Sequence, residues 1–232
     1  MLAQLTTTYK QSPWLKAAIS DWNAILEKLN LKPFFVSKGT IVYHQGSSTG
    51  SIFVVKSGRV NMSIVGIEGE EKCLFVLSSG CVFGEVVLLG TRIVGMQATA
   101  VTPVELYEIP GESIYKMLES DIRLNRIIIQ SLIQKTLLLT SHVELLSFYD
   151  SSYRIIEVLT YLMEQFGKAD NKGGIFIEMK FTHQELANLV GVSRVTVTNF
   201  LNRMKREGLI MKRKTGIYVT DPGRLKVMQY TI

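Results

Sequence analysis

Apolar residues recur with two different periods along this chain, and the change of period divides it into parts. Between residues 34 and 109, short runs of β-branched and aromatic residues alternate with glycines, as in TIVYH, SIFVV and VELYEI. Strands and turns at spacings of about 8–12 residues are typical of an antiparallel sandwich or roll. Before them, residues 1–32 space Trp14, Trp22 and Ile25 for one packed face, which predicts peripheral helix.

A helical period follows Pro110, and we predict one long helix from Ser113 to Phe148. Apolar residues three and four positions apart form the a/d seam of a coiled coil, which predicts a homodimer. The seam residues are Ile129, Leu132, Thr136, Leu139, Val143 and Leu146. A helix buried in its own domain is the alternative, which the crowded apolar run 127–129 favours. One face can also pack on the roll while the other meets a partner chain.

The last part of the chain carries two short helices joined by a glycine and followed by a basic hairpin. Thr182 and Glu185 form a capping box at the start of the first helix. Gly191 suits the corner between the helices, and Ser193 is placed to cap the second one. This order is typical of a helix-turn-helix with a wing, the device that lays a helix into the major groove of DNA.

The second of these helices separates an apolar face from a polar one. Its inward residues are Val197, Leu201 and Met204. These patterns predict three domains. Residues 1–112 contain the N-terminal helices and the roll that senses the effector, residues 113–149 form a dimerisation helix, and residues 150–232 form a DNA-binding domain. We expect a hinge at residues 148–153, where small polar residues interrupt the helical pattern.

Charge agrees with a polyanionic partner. The chain has a formal net charge of +6 and a pI near 9.2. Basic residues cluster in and after the second helix, against the single acid Glu207, and such a cluster is a footprint for phosphate. They are Arg194, Arg203, Lys205, Arg206, Lys212, Arg213 and Lys214. A solvated helix pair with lysines for solubility is the alternative interpretation of the charges alone.

Composition also excludes several classes of protein. Cys73 and Cys81 are the only cysteines, too few for a disulfide scaffold or an iron–sulfur cluster, although redox sensing through them is an alternative. The three histidines are scattered, so we expect neither haem nor a metal site. Nucleotide-binding, metalloprotease and serine-hydrolase motifs are missing, which argues against an enzyme. Without a signal peptide or a long apolar run, we expect a cytoplasmic protein with no membrane partner.

The stretches LVGVSRVTVTNFLNRMKREGLI and GCVFGEVVLLG, with KGTIVYHQG and KSGRV, carry a resemblance to a known family. Through nearly all of its length the chain resembles the Crp/Fnr family of bacterial transcription regulators. The resemblance implies an α+β protein with a cyclic-nucleotide-binding-like antiparallel β-roll, a long dimerisation helix and a C-terminal winged helix-turn-helix. It implies effector-controlled transcription without catalysis, with double-stranded DNA and RNA polymerase as partners.

The resemblance also implies which residues meet DNA. Val195 stands where many members have a glutamate that reads cytosine, and an apolar side chain there favours a thymine methyl. Asn199 replaces an arginine that reads guanine, and asparagine pairs with adenine. We therefore predict an inverted-repeat operator with A/T-rich half-sites. The candidate DNA-binding residues are Thr182, Ser193, Arg194, Val195, Thr196, Thr198, Asn199, Arg203, Lys212, Arg213 and Lys214.

For the effector, the family pattern is matched only in part. Gly84 and Glu85 match the first pair of residues that hold cyclic AMP in some members, but Val94 and Gly95 stand where Arg-Ser is expected. We therefore expect an effector other than cyclic AMP. A weaker resemblance is to the halophenol-sensing regulators of reductive dehalogenation, which carry a lysine like Lys135. Those sensors also have a lysine at the position of Glu85, which this chain lacks.

These comparisons leave a general hypothesis, a small and largely apolar effector between the roll and the dimer helix. Lys135 would be its counter-charge if the effector is an anion. The candidate effector-binding residues are Gly84, Glu85, Gln97, Thr99, Lys135, Leu139 and Thr140. One alternative is that Lys135 only flanks the dimer seam. Others are a regulator that needs no effector and uses its roll as a scaffold, and a cyclic-nucleotide-responsive regulator that uses Arg92 after a shift in register.

Overall fold

The structure, a computed structural model, describes residues 13–91, 95–171, 173–178, 182–213 and 215–228. Contacts divide the chain into two units, with the boundary between Ser141 and His142, inside a long helix. The three-part division inferred from the sequence therefore stays a prediction.

The first unit is built on two sheets that form the predicted roll. Its strands are β1 (Trp14–Leu15), β2 (Phe34–Val36), β3 (Ile41–Tyr43), β4 (Ser51–Ser57), β5 (Val60–Val65), β6 (Glu71–Leu77), β7 (Val82–Phe83), β8 (Gln97–Ala100) and β9 (Val104–Pro110). One sheet has the order β1-β6-β5-β8-β3 and the other β2-β9-β4-β7. The pairs are antiparallel except for β1 beside β6.

Glycine sets the tight turn between β4 and β5. Gly58 has a φ of 85°, in the left-handed region that side chains rarely adopt. A Cβ atom there would also lie 2.2 Å from the carbonyl oxygen of Pro103. Both facts explain why a glycine separates the strand runs at this position.

Two apolar clusters fill the unit, one on each side of the β4-containing sheet. Alternate β4 residues supply them, with Phe53 in the cluster between the sheets and Ile52 in the other. The inner cluster includes Phe75 and Phe83. In the outer cluster, Trp22 is fully buried and packs with helical residues against the sheet.

The helices that begin in this unit are α1 (Asn23–Lys28), α2 (Gly111–Leu118) and α3 (Ile122–Phe148), which continues into the second unit after Ser141. A 3-10 turn lies at Ile19–Trp22 and a π-helical turn at Val87–Thr91. The predicted N-terminal helix is thus wrong over part of its length. Trp14 lies in β1, because residues 14 and 15 extend a sheet edge by pairing with Val76 and Leu77. Residues 1–12 of that prediction lie outside the described ranges.

The prediction of one helix from Ser113 to Phe148 is also wrong, because residues 119–121 are not helical and separate α2 from α3. The carboxylate of Asp121 accepts hydrogen bonds from the backbone N–H of Arg123 at 3.0 Å and from its guanidinium at 2.9 Å. These hydrogen bonds lower the pKa of Asp121 to about 2. Asp121 therefore starts a new helix, as an aspartate ahead of a first turn commonly does.

The second unit contains α4 (Ser151–Phe166), β10 (Gly167–Ala169), β11 (Ile175–Ile177), α5 (His183–Val190), α6 (Arg194–Arg206), β12 (Ile210–Arg213), β13 (Gly216–Val219) and α7 (Pro222–Val227). Its sheet has the order β10-β11-β13-β12, and β12 with β13 is the predicted wing. Between α3 and α4, the carboxylate of Asp150 caps α4 by accepting from the N–H of Tyr153 at 2.8 Å. Within the described ranges, no helix is both long and apolar enough to cross a membrane.

Candidate functional site

The capping box predicted at α5 is present in full. The hydroxyl of Thr182 accepts from the N–H of Glu185 at 3.0 Å, and the carboxylate of Glu185 accepts from the N–H of Thr182 at 2.8 Å. Gly191 ends α5 with a φ of 71° and a ψ of 51°, the left-handed conformation that the corner requires. The first helix and the turn of the helix-turn-helix are therefore as the sequence predicts.

The corner sets the start of α6. The hydroxyl of Ser193 accepts from the N–H of Thr196 at 3.0 Å and caps the helix. The predicted inward residues Val197, Leu201 and Met204 are buried. Phe200 is buried as well. We missed it, although its position three residues after Val197 places it on the same face.

The opposite face of α6 is exposed. Arg194, Asn199 and Arg203 lie on it, and the side chain of Val195 is 67% exposed, unusual for a β-branched residue. The guanidinium of Arg203 lies 5.0 Å from the ring centroid of Phe200, a cation–π contact that orients it along the helix. This face offers arginine and asparagine donors beside an apolar side chain, the groups that read base edges in a major groove.

The threonines of α6 bond within the protein. The hydroxyl of Thr196 lies 2.8 Å from that of Ser193. The hydroxyl of Thr198 donates to the carbonyl of Arg194 at 2.8 Å and lies 2.8 Å from Nδ1 of His183. Both residues, like Thr182, have intramolecular roles beside the DNA contacts predicted for them.

His183 joins α5 to the face of α6 through Thr198, a link that the sequence did not reveal. Burial lowers the pKa of His183, and the charges of Lys212, Lys205 and Arg194 lower it further. Those three cations and His183 line a groove of about 630 Å³ between the helices and the wing. The groove therefore brings basic residues of α6 and of the wing together.

The wing carries further basic side chains. Lys212 and Arg213 are exposed on β12, opposite Ile217 and Gly216 of β13. The guanidinium of Arg213 lies 5.6 Å from the ring centroid of Tyr218. The hydroxyl of Tyr218 donates to the carboxylate of Asp170 at 2.6 Å, which fixes the ring beneath the arginine. Lys214, predicted to belong to this group, lies outside the described residues.

In the first unit, Lys135 and Glu85 form a buried ion pair. The ammonium of Lys135 donates to Glu85 and, at 2.8 Å, to the carbonyl of Val82, and it lies 5.9 Å from the ring centroid of Phe75. The two side chains are 8% and 1% exposed. Lys135 is therefore not an unpaired counter-charge, because its ammonium is buried and paired within the protein.

Only one of the two carboxylate oxygens of Glu85, Oε1, bonds to Lys135. Its second oxygen, Oε2, is buried and has no hydrogen-bond partner among the described residues. Leaving one such group unsatisfied costs roughly 1–3 kcal/mol. A cavity of about 50 Å³, lined by Lys135, Gln134, Cys81 and other residues, lies beside the pair. Gly84 precedes Glu85 with a φ of 90°.

The structure does not bring Gln97 and Thr99 to this pair. Ala98 and Ala100 of β8 belong to the inner cluster, so the residues between them point to the other side of the sheet. There Thr99 lies opposite Asn61, and its hydroxyl accepts from the amide of Gln97 at 3.4 Å. Placing Gln97 and Thr99 in one pocket with Lys135 was wrong, because the alternation of β8 separates them.

Helix α3 has two apolar faces. Its buried face toward the first unit includes Leu124, Ile128, Lys135 and Leu138. The adjoining side of the helix is exposed in the single chain and holds the seam residues Ile129, Leu132, Thr136, Leu139, Val143 and Leu146. Thr140, an effector candidate, is exposed too, and its hydroxyl donates to the carbonyl of Thr136 at 3.0 Å. Leu139, four residues after Lys135, therefore lies beside it along the helix, whereas Thr140 lies on the exposed side.

The two cysteines are buried and unpaired thiols. Burial raises the pKa of Cys73 to about 12 and raises that of Cys81 as well. Because the thiolate is the reactive form, both thiols are poor candidates for redox sensing.

Known proteins match the chain in both units. Residues 33–121 match the cyclic nucleotide-binding domain and residues 153–228 the Crp-like helix-turn-helix domain. The global nitrogen regulator of Synechococcus elongatus is 32% identical over 197 residues, which cover 84% of this chain and 88% of that protein.

Solved structures show the same fold. The c-di-GMP responsive global regulator CLP of Xanthomonas campestris has a TM-score of 0.76 and 23% identity, covering 87% of this chain and 99% of that one. CprK complexed with OCPA has a TM-score of 0.71 and 23% identity, covering 88% and 93%.

Proposed function

The chain belongs to the Crp/Fnr family of transcription regulators, and we propose that it acts as a homodimer that binds an inverted-repeat DNA operator under the control of a small molecule. The exposed face of α6 carries the proposal, because its polar and basic residues are held outward by a capped, well-packed helix-turn-helix. Its curated relatives regulate transcription, and we propose no catalytic activity for it.

In the proposed complex, α6 enters the major groove. Arg194 and Asn199 donate to base edges at the start of the helix, and Val195 contacts a thymine methyl. Asparagine pairs with adenine, so the half-sites are A/T-rich. Lys212 and Arg213 of the wing contact phosphate, which adds affinity without sequence preference.

The exposed seam of α3 supports dimerisation. Ile129 is 56% exposed and Val143 63% exposed, although both are large and apolar. A heptad stripe of this kind is buried when two copies of the helix pack together. Two recognition helices then present the same surface to two half-sites, about 34–36 Å apart along the duplex.

For control by a small molecule, we propose a site at the contact of the roll with α3, beside Glu85 and Lys135. CLP, which has this fold, is described as c-di-GMP responsive, and CprK was solved complexed with OCPA. In this chain Glu85, which matches a residue that holds cyclic AMP in some members, is already paired with Lys135, and Val94 and Gly95 replace the expected Arg-Ser. The loss of the arginine for the phosphate, together with the pairing of Glu85, supports an effector other than cyclic AMP.

Selection of binding sites from random duplex DNA tests the proposal. We expect the purified protein to recover inverted repeats with A/T-rich half-sites. Recovery of G/C-rich half-sites would contradict the roles given to Val195 and Asn199. No enrichment of any sequence, either alone or with a cell-extract metabolite fraction added, would contradict the function itself.

A second candidate function is a regulator that binds DNA without an effector. The hydrogen bonds of Lys135 to Glu85 and Val82 favour it, because they satisfy the cation inside the protein. Electrophoretic mobility shift of the purified protein separates the two. Full operator affinity with nothing added supports the second candidate, and affinity that appears only with a cell-extract metabolite fraction supports the first.

A further inference from the structure

The ion pair of Lys135 and Glu85 joins two elements that lie far apart in the sequence. Glu85 follows β7 of the roll, whereas Lys135 lies in the middle of α3, on the packed side of the helix that adjoins the seam. The next residue of the helix, Thr136, belongs to the seam. The pair therefore ties the roll to the turn of α3 that carries part of the seam on which the proposed dimer depends.

The carboxylate of Glu85 contacts Lys135 as a bound anionic ligand would. The carboxylate of Glu85 is 1% exposed, and the ammonium that it meets receives its other contacts from the carbonyl of Val82 and the ring of Phe75. The cavity next to Lys135 measures only about 50 Å³, too small for an organic acid. The anion that Lys135 requires is thus supplied by the chain itself.

We propose that Glu85 is a built-in anionic ligand for Lys135, and that this internal ligand holds α3 in the arrangement that binds DNA. An external anion can then occupy the site only where the carboxylate of Glu85 has been removed or displaced. The inference rests on the proposed function because DNA binding is its main readout.

A buried ammonium that loses its partner is strongly destabilising, whereas removal of both charges is often tolerated. Replacing Glu85 with Ala leaves the Cβ atom and removes a group with the shape and charge of acetate. Acetate is therefore the matched external replacement.

The test measures operator binding by fluorescence anisotropy and thermal unfolding by circular dichroism, on the full chain, in sodium acetate and in sodium chloride at equal ionic strength. In chloride, Glu85→Ala is expected to lose about tenfold or more in operator affinity and to unfold at a lower temperature. Acetate is expected to restore both. Wild type and Lys135→Met, which has no cation to pair, are expected to respond equally to the two salts.

Other results would overturn the inference. If Glu85→Ala binds the operator as wild type does in chloride, the pair does not control DNA binding. If acetate does not restore the operator affinity of Glu85→Ala, Lys135 is not the anion site. The same conclusion follows if acetate increases the operator affinity of Lys135→Met as much as that of Glu85→Ala. If Glu85→Ala does not fold in either salt, operator affinity is measured on Glu85→Gln, whose side chain has nearly the same shape. Wild-type affinity in Glu85→Gln would then overturn the inference. Where wild type requires the cell-extract metabolite fraction for binding, all variants are measured with it added. If wild type binds no duplex even then, the proposed function fails, while the unfolding temperatures still test the pair.

Discussion

The polar side chains of the second unit have two separate duties. The hydroxyls of Ser193 and Thr198 bond inside the helix-turn-helix, where they cap α6 and link it to α5. Arg194 and Asn199 extend from the exposed face instead. The first duty fixes the orientation of α6, and the second is available for recognition.

Arg194→Ala is expected to weaken operator binding by roughly 1–3 kcal/mol, because it removes donors to a base edge. The measurement is fluorescence anisotropy on the selected operator and on a duplex with the contacted base pair changed. Lys28→Ala, a surface lysine of α1, removes the same charge and is the control. If Arg194→Ala binds each of the two duplexes as tightly as wild type does, Arg194 does not contact a base edge.

Lys212→Ala is expected to show a smaller loss of affinity that is the same for both duplexes, since a wing lysine contacts phosphate. It should also reduce the dependence of the binding constant on salt concentration. A loss that depends on sequence would instead give Lys212 a role in base reading.

His183 predicts a dependence of stability on pH. Its pKa is lower in the folded protein than the ordinary value, first by burial and then by Lys212, Lys205 and Arg194. A group with a lowered pKa favours the neutral form, so its contribution is fully present above about 6.5 and is lost as the pH falls below that value. The wild-type protein is expected to lose stability on acidification more steeply than His183→Gln, as measured by urea unfolding. Parallel pH profiles of the two proteins would contradict this.

Sequence reasoning at this scale located exposed residues better than tertiary partners. Arg194, Val195 and Asn199 follow from the periodicity of one helix. The contacts of Lys135 with Glu85 and of His183 with Thr198 join residues of different elements, and no local pattern specifies them. Alternation along β8 places Gln97 and Thr99 on the side opposite to Ala98 and Ala100. The sequence pattern did not show which side faces the core, because alanine is too small to indicate burial by itself.

Among the elements, the corner between α5 and α6 is set by backbone geometry. Gly191 has a φ of 71°, and the N–H groups of Gly191 and Val192 both donate to the carbonyl of Ala187, at 2.9 and 3.1 Å. These bonds close α5 with a left-handed residue and start α6 three residues later. The angle between the two helices depends on this single conformation.

Gly191→Ala is expected to destabilise the second unit by about 1–2 kcal/mol, because a Cβ atom is unfavourable in the left-handed region. Gly191→Asn is the matched control, since asparagine tolerates that conformation better, and it should lose less. Chemical denaturation followed by circular dichroism measures the difference. Equal stability of the two variants would show that the corner relaxes to another conformation.

Element prediction succeeded where local patterns are strong and failed where a single polar residue decides. The strand runs, the capping box and the wing were predicted because alternation, capping and glycine turns each act over a few residues. The helix break at Asp121 was missed since the apolar periodicity of α2 continues into α3. Strands β1 and β10 are short, and β1 forms only because residues distant in sequence offer it an edge.

At the scale of the whole molecule, the exposed stripe of α3 is the feature that a single chain leaves unexplained. Its residues are solvent-exposed and, apart from Thr136, apolar, whereas the adjoining side of the same helix is packed. Contiguous exposed apolar surface of this kind marks an interface. A symmetric dimer buries it and also produces the two-fold arrangement that an inverted repeat requires.

Ile129→Glu is expected to split the dimer, because symmetry brings both introduced carboxylates into an apolar seam. The loss of dimer stability should reach several kcal/mol, the usual cost of unpaired buried charge, about 3–5 kcal/mol. Sedimentation equilibrium should give twice the 26.1 kDa chain mass for wild type and the chain mass for the variant. Gln130→Glu adds the same charge at the neighbouring exposed position and should remain dimeric. A monomeric wild type would contradict the assignment of the seam.

The most direct test of the account is a stoichiometric titration of the selected inverted repeat with purified protein, followed by fluorescence anisotropy. The account predicts saturation at two chains per duplex and an affinity about a thousandfold or more above that for a scrambled duplex at physiological salt. It also predicts that a duplex with one half-site scrambled binds more weakly. Equal affinity for the scrambled and selected duplexes, or no binding even at low salt, would contradict sequence-specific recognition by α6.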